Sequence, residues 1–216
     1  MRVVIAGGHG QIALRLEKLL AERGDQPVGI VRNPDHEGDL LAAGAVTVVL
    51  DLEQSDVDAV ANVLRGADAA VFAAGAGPGS GQDRKDTVDR AAAVLFAEAA
   101  ERAGVRRFIQ IGSMGADSPD APGLDPVFRA YLYAKAAAEE DLRARDLDWT
   151  ILRPGALTND SGTGNVKIAP KTGRAKVPRE DVAAAVVGLL DAPATAGSTL
   201  ELISGEHTIE EAISAL

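Results

Sequence analysis

Tyr131 and Lys135 stand four residues apart in the run FRAYLYAKAAAEEDLRARD, residues 128–146, a spacing that puts both on one face of a helix. A phenol titrating near 10 is a poor proton donor or acceptor at neutral pH unless a nearby cation stabilises its phenolate, so a lysine one turn away is what such chemistry needs. Tyr133 lies on another face and has no lysine four residues on. The same pair could also be two surface residues without a chemical role.

A second constellation is GGHGQIA, residues 7–13. Gly7, Gly8 and Gly10 follow an apolar run and open an amphipathic helix, with Ala13 at the position where a helix packs closely on a strand. Glycines there permit a tight turn and the close approach of a diphosphate, and the N-terminus of the helix offers free N–H groups to the anion. Gln11 and Ile12 open that helix and share the contact, and His9 is a cofactor-side contact or a solvated residue. At the end of the second strand, where NAD-binding domains carry Asp or Glu for the ribose hydroxyls, this chain has Arg32. A guanidinium grips a 2′-phosphate that a carboxylate would repel, which points to NADP(H).

Asp51 and Leu52 follow the third strand, where the carboxylate could accept the adenine amino group and the leucine flank the ring; a turn-capping Asp is the alternative. Ala73, Ala74 and Gly75 are small residues at the carboxyl end of the fourth strand, where a dinucleotide would cross the sheet.

These residues need a scaffold, and the chain alternates apolar runs with helical patterns from end to end, the signature of a mainly parallel sheet with helices on both faces. Seven strands are expected: 3–6, 28–31, 45–50, DAAVFAAG, RRFIQIGS, DWTILRP and STLELIS. VKIA and RAKV are possible short additions within 155–178, a glycine-rich segment expected to act as an active-site loop or lid. Helices are expected over 11–23, 39–43, 56–64, 83–103, 128–146, PREDVAAAVVGLLDAP and, from a threonine cap, HTIEEAISAL.

Composition narrows the functions. At 216 residues the chain suits one domain. It has no cysteine, which excludes disulfides, thiolate catalysis and cysteine-held metals, and His9, His36 and His207 are scattered. A net charge of −10 disfavours nucleic acid and anionic membranes as partners. No apolar run approaches the roughly 20 residues of a spanning helix, and no basic leader is visible, so a cytoplasmic location is expected.

GGHGQIA, VRNPD, VLDLE, FAAGAG, IQIGSMGA, YLYAKAAAE and WTILRPGALT together resemble the short-chain dehydrogenase/reductase superfamily, in particular its atypical single-domain NAD(P)H-binding, epimerase/dehydratase-like and NmrA-like members. The terse GGHG loop and the alanine in place of its last glycine depart from the usual pattern. The resemblance implies a Rossmann-type, doubly wound α/β domain over 1–216. It also implies Tyr131 as general acid or base, Lys135 as the group that tunes it and holds the nicotinamide ribose, Ser113 as the hydroxyl orienting a substrate carbonyl, and Pro154 near the nicotinamide. The expected function is NADP(H)-dependent hydride transfer to a small carbonyl or quinone-like substrate. An NADP(H)-sensing regulator and an epimerase/dehydratase-like enzyme are the alternatives, and both monomer and dimer stay open.

Overall fold

The computed structural model describes residues 1–77 and 79–216. Its first half runs β1 (Arg2–Ala6), α1 (Gln11–Glu22), β2 (Gln26–Val31), α2 (Glu37–Ala42), β3 (Val46–Val49), α3 (Val57–Leu64) and β4 (Ala69–Phe72). A helix with three parts follows: α4 (Gln82–Arg84), a π-helical segment (Lys85–Ala91) and α5 (Ala92–Ala103). Then come β5 (Arg107–Ile111), α6 (Pro126–Arg143), β6 (Asp148–Pro154), β7 (Ala156–Thr158), β8 (Asn165–Ala169) and β9 (Lys176–Pro178). The chain closes with α7 (Arg179–Leu190), β10 (Ser198–Ser204), β11 (His207–Thr208) and α8 (Ile209–Ser214).

Among the described residues nine strands form one sheet, in the order β11-β8-β10-β6-β5-β4-β1-β2-β3. All pairings from β10 to β3 are parallel, whereas β8 runs antiparallel to β10 and β11 antiparallel to β8. The sheet is thus wider than the seven strands expected. The two additions are an antiparallel edge: β8 contains the possible short strand VKIA, and β11 is only two residues long.

Strand β1 shows why the sheet is covered on both faces. Val3 and Ile5 face α1 and α7 and pack with Leu16, Leu20, Val186 and Leu189; Val4 and Ala6 face the other way, towards α3, α5 and α6. Successive side chains of a strand point to opposite faces, so four apolar residues in a row require two apolar layers. On the second face Phe72, Phe96 and Phe108 pack as tilted rings, with centroids 6.1 and 5.8 Å apart. The alanines of α5 keep that helix close to the sheet.

Helix limits follow local chemistry. Asp56 caps α3 by accepting from the Ala59 N–H at 2.8 Å, and Asp125 caps α6 ahead of Pro126, so α6 begins before Phe128. Thr208 and Glu211 close a reciprocal capping box on α8. Residues 155–178, expected as a loop or lid, contain three strands. Val166 and Ile168 of β8 belong to the core, β7 and β9 pair in a small second sheet, and only the start of the segment, Gly155 and Leu157, reaches the cleft described below.

Candidate functional site

Strand β1 lies between β4 and β2, so the connection leaving β1 for β2 and the one leaving β4 for β5 run in opposite directions and open a crevice at the carboxyl ends of the strands. A cleft of about 730 Å³ occupies that crevice. Gly7 has φ +81°, and a Cβ placed there would fall 2.6 Å from the Ala74 Cα at the end of β4. The Gly10 N–H donates to the Gly7 carbonyl at 2.8 Å, closing the turn. No side chain caps the N-terminus of α1, whose first residues, Gln11 and Ile12, line the cleft. A glycine cradle facing uncapped helix N–H groups fits an anionic dinucleotide.

Gly8, expected among the cofactor contacts, is not among the residues that line the cleft. Its N–H donates to the Ile30 carbonyl at 3.0 Å, and a Cβ would meet the Gly29 Cα at 2.8 Å and Glu17 Oε1 at 2.9 Å. Its smallness serves the packing of the loop on β2. Glu17 itself is wholly buried with neither carboxylate oxygen partnered, and burial pushes its carboxyl up to about 8.

His9 and His36 stack with centroids 3.6 Å apart on the rim of the cleft, and His9 Nε2 lies 2.8 Å from Asp39 Oδ2. Arg32 also lines the cleft, its Nη1 3.4 Å from Glu53 Oε2. Asp51 and Leu52 line it too, but Asp51 Oδ1 accepts the Glu53 N–H at 3.0 Å, so this carboxylate organises its own turn as well. Ala73, Ala74 and Gly75 form the floor between the glycine turn and Asp89.

Ser113, Tyr131, Lys135 and Pro154, which come from the loop after β5, from α6 and from β6, line the same cleft. Ser113 Oγ donates to the Met114 carbonyl at 3.3 Å, a long contact that leaves its acceptor sites open. Lys135 is almost wholly buried, donates to the Ile111 carbonyl at 3.3 Å and sits 3.3 Å from Oδ1 of the fully buried Asp89. Its Nζ is 5.8 Å from the Tyr131 ring centroid, and Lys85 Nζ lies 5.4 Å from that centroid.

Lys85, Asp89, Glu53 and Arg84 are cleft residues that sequence reasoning missed. The spacing of Lys85 and Asp89 hints at one helix face, but nothing along the chain shows that they meet Tyr131 and Lys135. The outer wall is apolar: Val127, Phe128 and Leu157 line the cleft while more than a third exposed. Among the described residues no cluster of His, Cys, Asp and Glu is arranged to hold a metal, and no helix is long and apolar enough to cross a membrane.

A glycine turn at the switch point of a doubly wound, mainly parallel sheet, with a tyrosine and a buried lysine lining the same cleft, defines a dinucleotide-binding domain. The family model described as NAD(P)H-binding matches residues 7–193, and the chain belongs to that family. It is 36% identical to an uncharacterised sugar epimerase, YhfK, of Bacillus subtilis, over the whole of both chains. Among solved structures it is similar to a candidate NAD-dependent epimerase/dehydratase from Bacillus halodurans, with TM-score 0.93 and 35% identity over the whole of both chains. The oxidoreductase ylbE from Lactococcus lactis is also similar, with TM-score 0.87 and 27% identity, covering 100% of this chain and 96% of that one. The family is one of NAD(P)H-binding, oxidoreductase- or epimerase-like proteins.

Proposed function

We propose that the protein is an NADP(H)-dependent oxidoreductase acting on a small carbonyl or quinone-like substrate. The observation that carries this reading is that Ser113, Tyr131 and Lys135 line the same cleft as the glycine turn. The bound cofactor supplies the hydride. Gly7, Gly10 and the N-terminus of α1 hold its diphosphate, and Arg32 favours the 2′-phosphate. Ser113 Oγ orients the substrate oxygen, and Tyr131 Oη delivers the proton that this oxygen takes up as the neighbouring carbon is reduced. Asp89 fixes the Lys135 ammonium beneath the phenol, and the apolar rim of Val127, Phe128 and Leu157 suits a flat, weakly polar substrate.

The name of the Bacillus subtilis relative supports a second reading, epimerisation, in which the same tyrosine would take a proton from a substrate hydroxyl while the oxidised cofactor took the hydride from its carbon, and would return it as the hydride came back to the opposite face. The deciding experiment follows loss of the NADPH absorbance with 9,10-phenanthrenequinone and with simple aldehydes. Turnover that falls about 10²- to 10⁴-fold in Tyr131→Phe supports reduction by this site. Retention of NADPH binding with no turnover of any acceptor turns the reading towards epimerisation or sensing.

A further inference from the structure

At the β2–β3 end of the cleft one carboxylate is held by three donors. Glu53 follows β3; its Oε2 accepts from Arg84 Nη2 at 2.7 Å and from Arg32 Nη1 at 3.4 Å, and its Oε1 accepts from Thr87 Oγ1 at 2.6 Å. Arg32, Glu53 and Arg84 all line the cleft, and Glu53 is only one-fifth exposed. The three donors come from separate elements, Arg32 after β2, Arg84 from α4 and Thr87 from the π-helical segment.

Two guanidiniums and a hydroxyl converging on one anion are the donor set of a phosphate monoester site. Here the anion is the chain's own carboxylate. The short contact to Arg84 and the long one to Arg32, whose side chain is 57% exposed, describe one arginine held firmly and one held loosely.

We infer that Glu53 is an internal stand-in for the ribose 2′-phosphate: it keeps Arg32 and Arg84 convergent without cofactor and competes with that phosphate for them, which makes Glu53 and Arg84 determinants of cofactor specificity. The inference rests on the cleft being the dinucleotide site proposed above. Two consequences follow. A 2′-phosphate gains Arg84 as well as Arg32, but must displace a carboxylate to do so. A ribose with a free 2′-hydroxyl needs no displacement, because an ionised carboxylate accepts its hydrogen bond. Glu53 therefore narrows the preference for a phosphorylated ribose, and its removal widens it.

The test is calorimetric and needs no turnover. Adenosine 2′,5′-bisphosphate and 5′-AMP are titrated into the native chain, Glu53→Gln and Arg84→Ala. Loss of one charge-assisted contact or competitor is expected to change bisphosphate affinity about ten- to a hundredfold. The affinity should rise in Glu53→Gln and fall in Arg84→Ala, with 5′-AMP binding retained in both as evidence of an intact cleft. The inference is overturned if Glu53→Gln binds the bisphosphate no more tightly than the native chain. It is equally overturned if Arg84→Ala binds bisphosphate as the native chain does, or if either variant alters 5′-AMP affinity by the same factor as the bisphosphate. Equal native affinity for the two ligands removes the NADP(H) preference proposed above, whereas a gain on Glu53→Gln still supports the role of Glu53.

Discussion

Lys135 and Asp89 form an ion pair inside the protein, Nζ 3.3 Å from Oδ1, with the carboxylate wholly inaccessible and the lysine nearly so. The other oxygen of Asp89 accepts the Ala76 N–H at 3.3 Å, tying the pair to the loop after β4. The lysine expected to tune Tyr131 thus has its charge matched from the neighbouring π-helical segment, which packs against α6 on the same face of the sheet. Removing the carboxylate leaves an ammonium buried without a counter-ion, which typically costs about 3–5 kcal/mol. Asp89→Ala should lose that much in urea unfolding, and adding Lys135→Met should recover part of it. Strictly additive losses in the double variant would show that the two do not act as a pair.

Tyr131→Phe keeps the ring, which stacks on Phe128 at 5.7 Å, and removes only the oxygen. NADPH affinity should stay near native while reductase turnover drops about 10²- to 10⁴-fold. Lys135→Ala should differ by losing cofactor affinity as well. Turnover by the phenylalanine variant within a factor of about three of native would remove Tyr131 from the chemistry.

Arg32→Ala should weaken NADPH by about 1.5–3 kcal/mol and leave NADH almost unchanged, because one charge-assisted contact to the 2′-phosphate is lost. Calorimetry with both cofactors decides this, and an equal loss for both would assign Arg32 to the shared part of the dinucleotide.

Glu17 links stability to pH. Burial without a partner raises its carboxyl from 4.5 to about 8 in the folded protein. Between those values the unfolded chain holds fewer protons than the folded one, so stability falls as pH rises through the window and the loss is complete above it. This group contributes a slope of about 1.4 kcal/mol per pH unit. Urea midpoints measured across the window should fall for the native chain and flatten for Glu17→Gln. Parallel curves for the two proteins would contradict the neutral buried carboxyl.

The parallel strands and the glycine turn were legible because each carries its signal within a few residues: a continuous apolar run for β1, β4 and β5, a turn that only glycine satisfies at Gly7. Tyr131 and Lys135 were legible because one helix carries both. Glu53, Arg84, Lys85 and Asp89 were not, since their significance lies in partners on other elements that only the winding of the chain brings near. The strands β7 and β11 escaped for a related reason. Each is short and takes its stability from neighbours, as at Gly155, where a Cβ would fall 2.2 Å from the Ala175 carbonyl oxygen. The close packing of Gly8 on Gly29 was not legible, because a glycine's neighbour above the chain and its neighbour below it look alike in a string of letters.

The π-helical stretch Lys85–Ala91 acts as a spacer in angle. Its wider turns delay the helix by roughly one residue's rotation, about 100°, relative to a regular α-helix. Arg84, just before it, and Lys85, its first residue, are thereby clocked towards the cleft while α5 keeps its alanine face on the sheet. A one-residue deletion in this stretch would let the helix run on as a regular spiral and preserve the fold's outline. It would also swing both cations out of line with Glu53 and Tyr131, so the length of this helix, counted in single residues, is itself a functional coordinate.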